Sequence, residues 1–239
     1  MRCLLIPKVN HLLKTVQEAR RAQDYGKMQG AADALQSLLG HSRSPESAAL
    51  QGKLFYELHR AAYDKGFLDR EGHPDRAQRH FLQSCKFAYK AQRASEGAGD
   101  QVGVLYARMS AWVLLQPVVD PHNREYDFSS RKNVVEVLRE VLLEGTQLVA
   151  EATGADERTR AARLTFKTLW HLLNTSLMWI ETWHGVGKED IAQLLARLQG
   201  HELYDEYKDT PKMKGLIQEA LPRLTKPAAA KRRAAKPKA

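Results

Sequence analysis

The sequence predicts an all-α fold of about eight to nine helices arranged in antiparallel hairpins. Apolar residues recur at helical spacing over most of the chain, and short segments that contain glycine or proline separate the periodic stretches. No stretch shows the sustained alternation of apolar and polar residues that a half-buried strand requires. We therefore expect helices packed on helices.

Two helices and the turn between them are predicted at the N-terminus. Pro7 suits the first turn of a helix, and the apolar positions after it continue to a break at Gly26. A second helix is predicted over about 28–39, with Gly40 as its C-terminal stop. This pair of helices predicts a hairpin.

The third and fourth helices have clear start and stop signals. Ser44 caps the third helix, Pro45 occupies its first position, and Gly66 is expected to end it. The fourth helix is predicted from Asp75 to the glycine-rich segment 97–99. A polar connection separates the two.

One long loop separates the fifth predicted helix from the sixth. The fifth helix is predicted from Asp100 to Pro117, and a serine at the end of the loop 117–130 caps the sixth. Two subdomains of a helical domain spanning 1–225 would meet in this loop. A short helix over about 189–198 and a last helix from Pro211 complete the prediction.

The central helix is predicted to follow Thr153-Gly154, and its stretch Ala161–Trp183 holds three of the four tryptophans. Its apolar residues fall on an arc of about 180°, wider than the stripe of an ordinary surface helix. We expect this helix near the middle of the packing, with its large aromatic side chains buried. The arc comprises Phe166, Leu169, Trp170, Leu172, Leu173, Leu177, Trp179, Ile180 and Trp183.

An uncharged stripe follows the opposite side of the central helix. A solvated helix face usually carries lysine and glutamate, so the stripe indicates a contact with another helix or with a ligand. The alternatives are an ordinary helix–helix contact, solvent exposure and a partner-binding groove. The candidate partner-binding residues are Thr168, His171, Thr175, Met178 and Thr182.

Part of the segment 8–116 resembles tetratricopeptide-repeat proteins. The matching residues are Leu54-Phe55-Tyr56, Leu58, Ala61-Ala62-Tyr63 and Gly66 for a first helix, and Tyr25-Gly26-Lys27, Ala31-Ala32 and Ala34-Leu35 for a turn and second helix. The resemblance implies a solenoid that grips a peptide or protein on a concave surface. The alternative is an irregular helical bundle.

Positive charge is concentrated at the C-terminus. The chain carries a net charge of +9, and the segment 226–239 contains six basic residues and no acidic one. This tail consists of alanine, proline, lysine and arginine alone, so we expect it to be disordered. The alternatives for this tail are a solubilising terminus, binding of DNA or RNA phosphates without sequence preference, and contact with an acidic protein surface. The candidate nucleic-acid-binding residues are Lys226, Lys231, Arg232, Arg233, Lys236 and Lys238.

No catalytic or metal-binding motif is complete in the sequence. Glu181 and His184 have the spacing of half a di-metal site, but no second pair of this kind exists. The segment 185–188 lacks the spacing of a phosphate-binding loop. The row of Glu136, Glu140 and Glu144 is interpreted as a solvated face. We therefore expect no metal, no cofactor and no enzymatic activity.

These observations favour a cytoplasmic interaction module that binds a protein partner. Two cysteines provide no disulfide framework, and no apolar run is long enough to cross a membrane. The alternative is a nucleic-acid-associated protein that uses the tail and the arginines of the helices. A shared face for these arginines would favour that alternative. They are Arg20, Arg21, Arg76, Arg79, Arg158, Arg160 and Arg163.

Overall fold

A computed structural model describes residues 2–40, 44–118, 128–179 and 188–225, and these ranges contain ten helices and no strand. The predicted all-α class is confirmed. The helix that the sequence does not predict is α9, a single turn in a segment where a connection was expected. The helices are α1 (Arg2–Arg21), α2 (Tyr25–Leu39), α3 (Pro45–Asp69), α4 (Pro74–Ala98), α5 (Gln101–Val118), α6 (Phe128–Glu151), α7 (Ala155–Trp179), α8 (Lys188–Gln199), α9 (Tyr204–Tyr207) and α10 (Pro211–Thr225).

The chain divides into two compact units, Met1–Thr168 (unit 1) and Leu169–Ala239 (unit 2). The division falls inside α7. Residues 119–127 of the loop where two subdomains were expected to meet lie outside the described ranges, so that expectation stays a prediction. The first half of α7 belongs to unit 1 because its side chains contact α5. Within the described ranges, no helix is both long enough and apolar enough to span a membrane.

Capping interactions set several helix ends as the sequence predicts. The Ser44 hydroxyl oxygen accepts a hydrogen bond of 3.2 Å from the Ser47 amide at the start of α3, and Pro45 occupies the first turn. Gly99 ends α4 in the left-handed region, with φ of 69°. Glycine adopts this conformation without a steric penalty, so it terminates the helix.

Three predicted boundaries are wrong. α1 begins at Arg2 and not at Pro7, whose missing amide removes only one hydrogen bond near the helix start. α3 continues through Gly66 to Asp69. α6 begins at Phe128, ahead of the serine that was expected to cap it. By contrast, α7 begins at Ala155, directly after Gly154 as the sequence predicts, and Asp156 and Glu157 in its first turn stabilise the helix N-terminus.

Gly66 lies inside α3 because α4 approaches it closely. A Cβ atom at this position would lie 2.6 Å from Cε1 of Phe81, a buried residue of α4. The missing side chain therefore permits close contact of two helices and does not signal a helix end. Phe81 also contacts the rings of Tyr63 and Phe67 on α3.

A buried ion pair joins α1 to α3. Arg20 Nε lies 2.7 Å from Glu57 Oε2, and the two side chains are 8% and 10% exposed. A second guanidinium nitrogen of Arg20 lies 3.3 Å from Asp64 Oδ2. Because an unpaired buried charge is costly, these contacts fix how α1 packs on α3.

A histidine and a serine join α3 to α4. The Ser84 hydroxyl donates a hydrogen bond of 2.8 Å to the His59 carbonyl, and His59 Nδ1 lies 3.1 Å from the Ser84 carbonyl oxygen. Both side chains are buried. Burial disfavours the charged imidazole and lowers the pKa of His59 to about 4.

Unit 2 contains a small core of its own. α8 packs on α10, and an Arg223 guanidinium nitrogen donates a hydrogen bond of 2.9 Å to the Leu177 carbonyl. The buried residues of these two helices are Ile191, Leu195, Leu198, Met213, Leu216 and Ala220.

The predicted burial of the central helix is confirmed for its aliphatic residues and wrong for Trp170. Leu172, Leu173 and Leu177 are at most 1% exposed. Trp170 is only partly buried, since the polar indole N–H makes complete burial of tryptophan uncommon. The side chain of Trp179 and the segment 180–183 lie outside the described residues.

We predict that Gly66→Ala lowers the free energy of unfolding by about 1–3 kcal/mol, because the added methyl group overlaps the Phe81 ring. Gly30→Ala is the matched control, since a Cβ at this exposed position of α2 meets no atom within 4 Å. It should raise stability by up to about 1 kcal/mol. Urea denaturation of both variants measures the difference. Equal effects would contradict close packing of α3 on α4 at Gly66.

We predict that stability decreases as the pH falls from about 6.5 to about 4. Over this range the unfolded chain protonates His59 and the folded chain does not, so unfolding is favoured. The loss attributable to His59 should be on the order of 3 kcal/mol. Urea denaturation across a pH series measures it, with His59→Asn as the non-titrating reference. An identical pH dependence in the two proteins would show that His59 does not cause the loss.

Candidate binding cleft

Unit 1 contains a cleft of about 370 Å³. Its walls come from α1, α3, α4, α5 and the first half of α7. Among its lining residues are four that carry little or no side chain, Ala49, Gly52, Ala91 and Gly103, and these leave the cleft open. The other lining residues are Leu13, Gln17, Lys53, Tyr56, Glu57, Ser95, Asp100, Tyr106, Arg160 and Lys167.

The two glycines of the cleft allow close packing around Ser95. A Cβ atom at Gly52 would lie 3.0 Å from the Ser95 hydroxyl oxygen, and one at Gly103 would lie 2.6 Å from it. α3, α4 and α5 therefore meet at this serine. Close backbone packing around Ser95 therefore forms part of the lining of the cleft.

Two tyrosines form an aromatic wall. The rings of Tyr56 on α3 and Tyr106 on α5 meet edge to face with centroids 6.2 Å apart. Lys167 Nζ lies 5.1 Å from the centroid of the Tyr106 ring, a cation–π distance. Aromatic surface and positive charge are therefore adjacent in the cleft.

Both carboxylates of the cleft are paired with arginines. Glu57 pairs with Arg20 at 2.7 Å, and Asp100 Oδ2 pairs with Arg160 at 2.7 Å. Asp100 Oδ1 also accepts a hydrogen bond of 2.9 Å from the Gly103 amide. The negative charge of the cleft is thus neutralised by these arginines.

The two lysines of the cleft are not paired with any described carboxylate. Within the described ranges, no carboxylate lies at ion-pair distance from Lys53 on α3 or Lys167 on α7. Both residues are exposed. Lys53 and Lys167 are therefore the cations of the cleft that are available to a ligand without breaking a described ion pair.

Other cations surround Lys167. Removal from water is the first cause that lowers the pKa of its ammonium group, and the positive charges of Arg60 and Arg163 lower this pKa further. The carboxylate of Glu57 opposes the shift. Lys167 is exposed as a whole residue, so shielding of its ammonium above Tyr106 is partial. The region around Lys167 therefore has a positive potential.

The described residues of the predicted partner-binding stripe are buried or half-buried. Thr168 is buried, and its hydroxyl donates a hydrogen bond of 2.8 Å to the Leu164 carbonyl and lies 3.3 Å from Met109 Sδ. Thr175 is also buried, and His171 is half-buried. The two threonines are therefore shielded from solvent, and partner binding by the stripe stays a prediction. The Met178 side chain and Thr182 lie outside the described residues.

The arginines of the helices are engaged in several ion pairs. Arg20 pairs with Glu57, Arg160 with Asp100, and Arg76 with Asp69 through two hydrogen bonds of 2.9 Å. These three arginines do not contribute free positive charge to a basic face. The candidate nucleic-acid-binding residues of the tail lie outside the described ranges, so their role stays a prediction.

Within the described ranges, no group of three or more His, Cys, Asp or Glu side chains is placed to hold a metal ion. Glu140 and Glu144 are exposed and pair with Arg108 of α5, as expected of residues on a solvated helix face. Glu181, His184 and the segment 185–188 lie outside the described residues.

Sequence reasoning missed the cleft because its residues are distant in the chain. Lys53 and Tyr56 lie on α3, whereas Tyr106 and Lys167 lie on α5 and α7. None of them belongs to a local motif. The sequence feature that could have indicated a binding site is Lys167, because a lysine next to the uncharged stripe of a largely buried helix is unusual.

Comparisons with known proteins do not assign the chain to a family. No family model, no curated protein and no solved structure matches it. The tetratricopeptide resemblance therefore stays a prediction. The interpretation of the cleft rests on its own residues.

Proposed function

We propose that the chain is a non-enzymatic interaction module that binds a segment of a protein partner in the cleft of unit 1. The observation that carries this proposal is the cleft itself, an open concavity with two tyrosines and two lysines that no described carboxylate pairs with. Tyrosine is enriched among the residues that dominate binding energy in protein interfaces. Lysine supplies charge that selects among ligands.

The architecture of the cleft supports recognition of a short segment. A volume of about 370 Å³ is in the range of sites that enclose a compact ligand or a few side chains. Its helices are joined by the Arg20–Glu57 ion pair and by the hydrogen bond from Ser84 to His59, and they pack closely around Ser95. A ligand therefore meets a surface that needs little rearrangement, which lowers the entropic cost of binding.

The nucleic-acid alternative receives less support from the helices of unit 1. It depends on the six cations of the tail, and Arg20, Arg76 and Arg160 are paired with carboxylates. We also propose that the module acts in the cytoplasm. Two cysteines without a disulfide framework support that location.

We predict that Ala49→Trp lowers the affinity for a cleft-binding peptide by about tenfold or more, because the indole fills the cleft that Ala49 lines. Peptides would be selected from a random library with the full chain and titrated by fluorescence anisotropy. Gln83→Trp is the matched control, since Gln83 is exposed on α4 and does not line the cleft. Thermal unfolding checks that both variants are folded.

The expected result is that Gln83→Trp binds the selected peptides like the wild type and Ala49→Trp does not. Equal binding by a folded Ala49→Trp variant would place the binding surface outside the cleft. Failure to select any peptide would contradict the proposed function.

A further inference from the structure

We propose, resting on the function above, that the segment received by the cleft is acidic and that its carboxylates bind Lys53 and Lys167. The two lysines are the ionised side chains of the cleft that no described carboxylate neutralises. The carboxylates of an acidic segment would supply counter-ions for these two lysines. Its apolar atoms would pack against Tyr56 and Tyr106.

The arrangement of the carboxylates supports this choice. Glu57 and Asp100 are each held by an arginine at 2.7 Å. Because these pairs are already formed, neither carboxylate is available to neutralise a lysine without breaking a contact. A ligand carboxylate could therefore pair with the lysines without displacing Glu57 or Asp100 from its arginine.

The environment of Lys167 supports an anionic ligand independently. Partial removal from water and the charges of Arg60 and Arg163 disfavour its protonated form. A carboxylate bound beside it would reverse this effect, since an opposite charge stabilises the ammonium. A neutral ligand would shield Lys167 further from water and increase the penalty.

Other occupants fit the charges less well. The chain's own tail carries six cations and no anion, so the lysines would repel it. A nucleic-acid strand carries a charge on every phosphate, more charges than the two lysines of the cleft can pair with. A peptide can place carboxylates at the lysines and uncharged residues elsewhere.

The test uses a fluorescein-labelled peptide of alternating glutamate and leucine and its counterpart with glutamine in place of glutamate. The full chain should bind the glutamate peptide roughly fivefold to tenfold more tightly than the glutamine peptide. Lys53→Glu and Lys167→Glu should each reduce this preference, and raising the salt concentration should weaken it.

Lys86→Glu is the matched control. Lys86 is exposed on α4, does not line the cleft, and its substitution changes the net charge by the same amount. This variant should retain the preference. Lys53→Gln and Lys167→Gln provide milder changes in case a reversed charge destabilises the fold, and thermal unfolding measures that stability.

Three outcomes would contradict the proposal that the cleft binds an acidic segment. If the chain binds both peptides with equal affinity and Ala49→Trp abolishes this binding, the cleft binds peptides but does not select acidic ones. The proposed function would then stand, and the proposal of an acidic ligand would fail. A preference that Lys53→Glu, Lys167→Glu and Lys86→Glu leave unchanged would place binding on the tail or elsewhere. Tighter binding of a single-stranded oligothymidine that depends on Lys53 and Lys167 would make the ligand a nucleic acid.

Discussion

The buried guanidinium of Arg20 is the constraint on which the arrangement of unit 1 depends. An arginine that is 8% exposed must be paired, and its partners Glu57 and Asp64 both lie on α3. The position of α1 on α3 is therefore restricted by geometry as well as by apolar contact. Leu13 and Gln17 of α1 line the cleft opposite residues of α3 as a result.

The same ion pair determines the charge of the cleft. Glu57 lies one turn of α3 from Lys53 and also acts on Lys167 through its charge. Since Arg20 holds Glu57 in a buried pair, the two lysines keep their positive charge for a ligand. Arg160 has the equivalent effect on Asp100. Two arginines thus convert a cleft of mixed charge into one with net positive charge.

The sequence predicts the helices well because the signals are local. Ser44 with Pro45, and Gly99 with its left-handed backbone, act within a few residues of the helix ends that they define. Gly66 misleads local reasoning because its role is a contact with Phe81 on another helix. The uncharged stripe leaves its own role open, since uncharged residues suit a contact with another helix as well as a contact with a partner; Thr168 and Thr175 are buried.

The cleft itself depends on pairings between distant residues. Arg20 and Glu57 are 37 positions apart, and Asp100 and Arg160 are 60 apart. A single sequence does not indicate which arginine pairs with which carboxylate. The free lysines are recognisable only after those pairs are known, so the candidate site emerges from the structure and not from a motif.

The central claim is that the Arg20–Glu57 pair fixes α1 on α3. A double-mutant cycle tests it most directly, with the free energy of unfolding measured by urea denaturation. Arg20→Met alone should cost about 3–5 kcal/mol, because it leaves Glu57 as an unpaired buried charge. The double variant Arg20→Met and Glu57→Leu should recover most of that loss. A cost below about 1 kcal/mol for Arg20→Met alone, or no recovery in the double variant, would contradict the account.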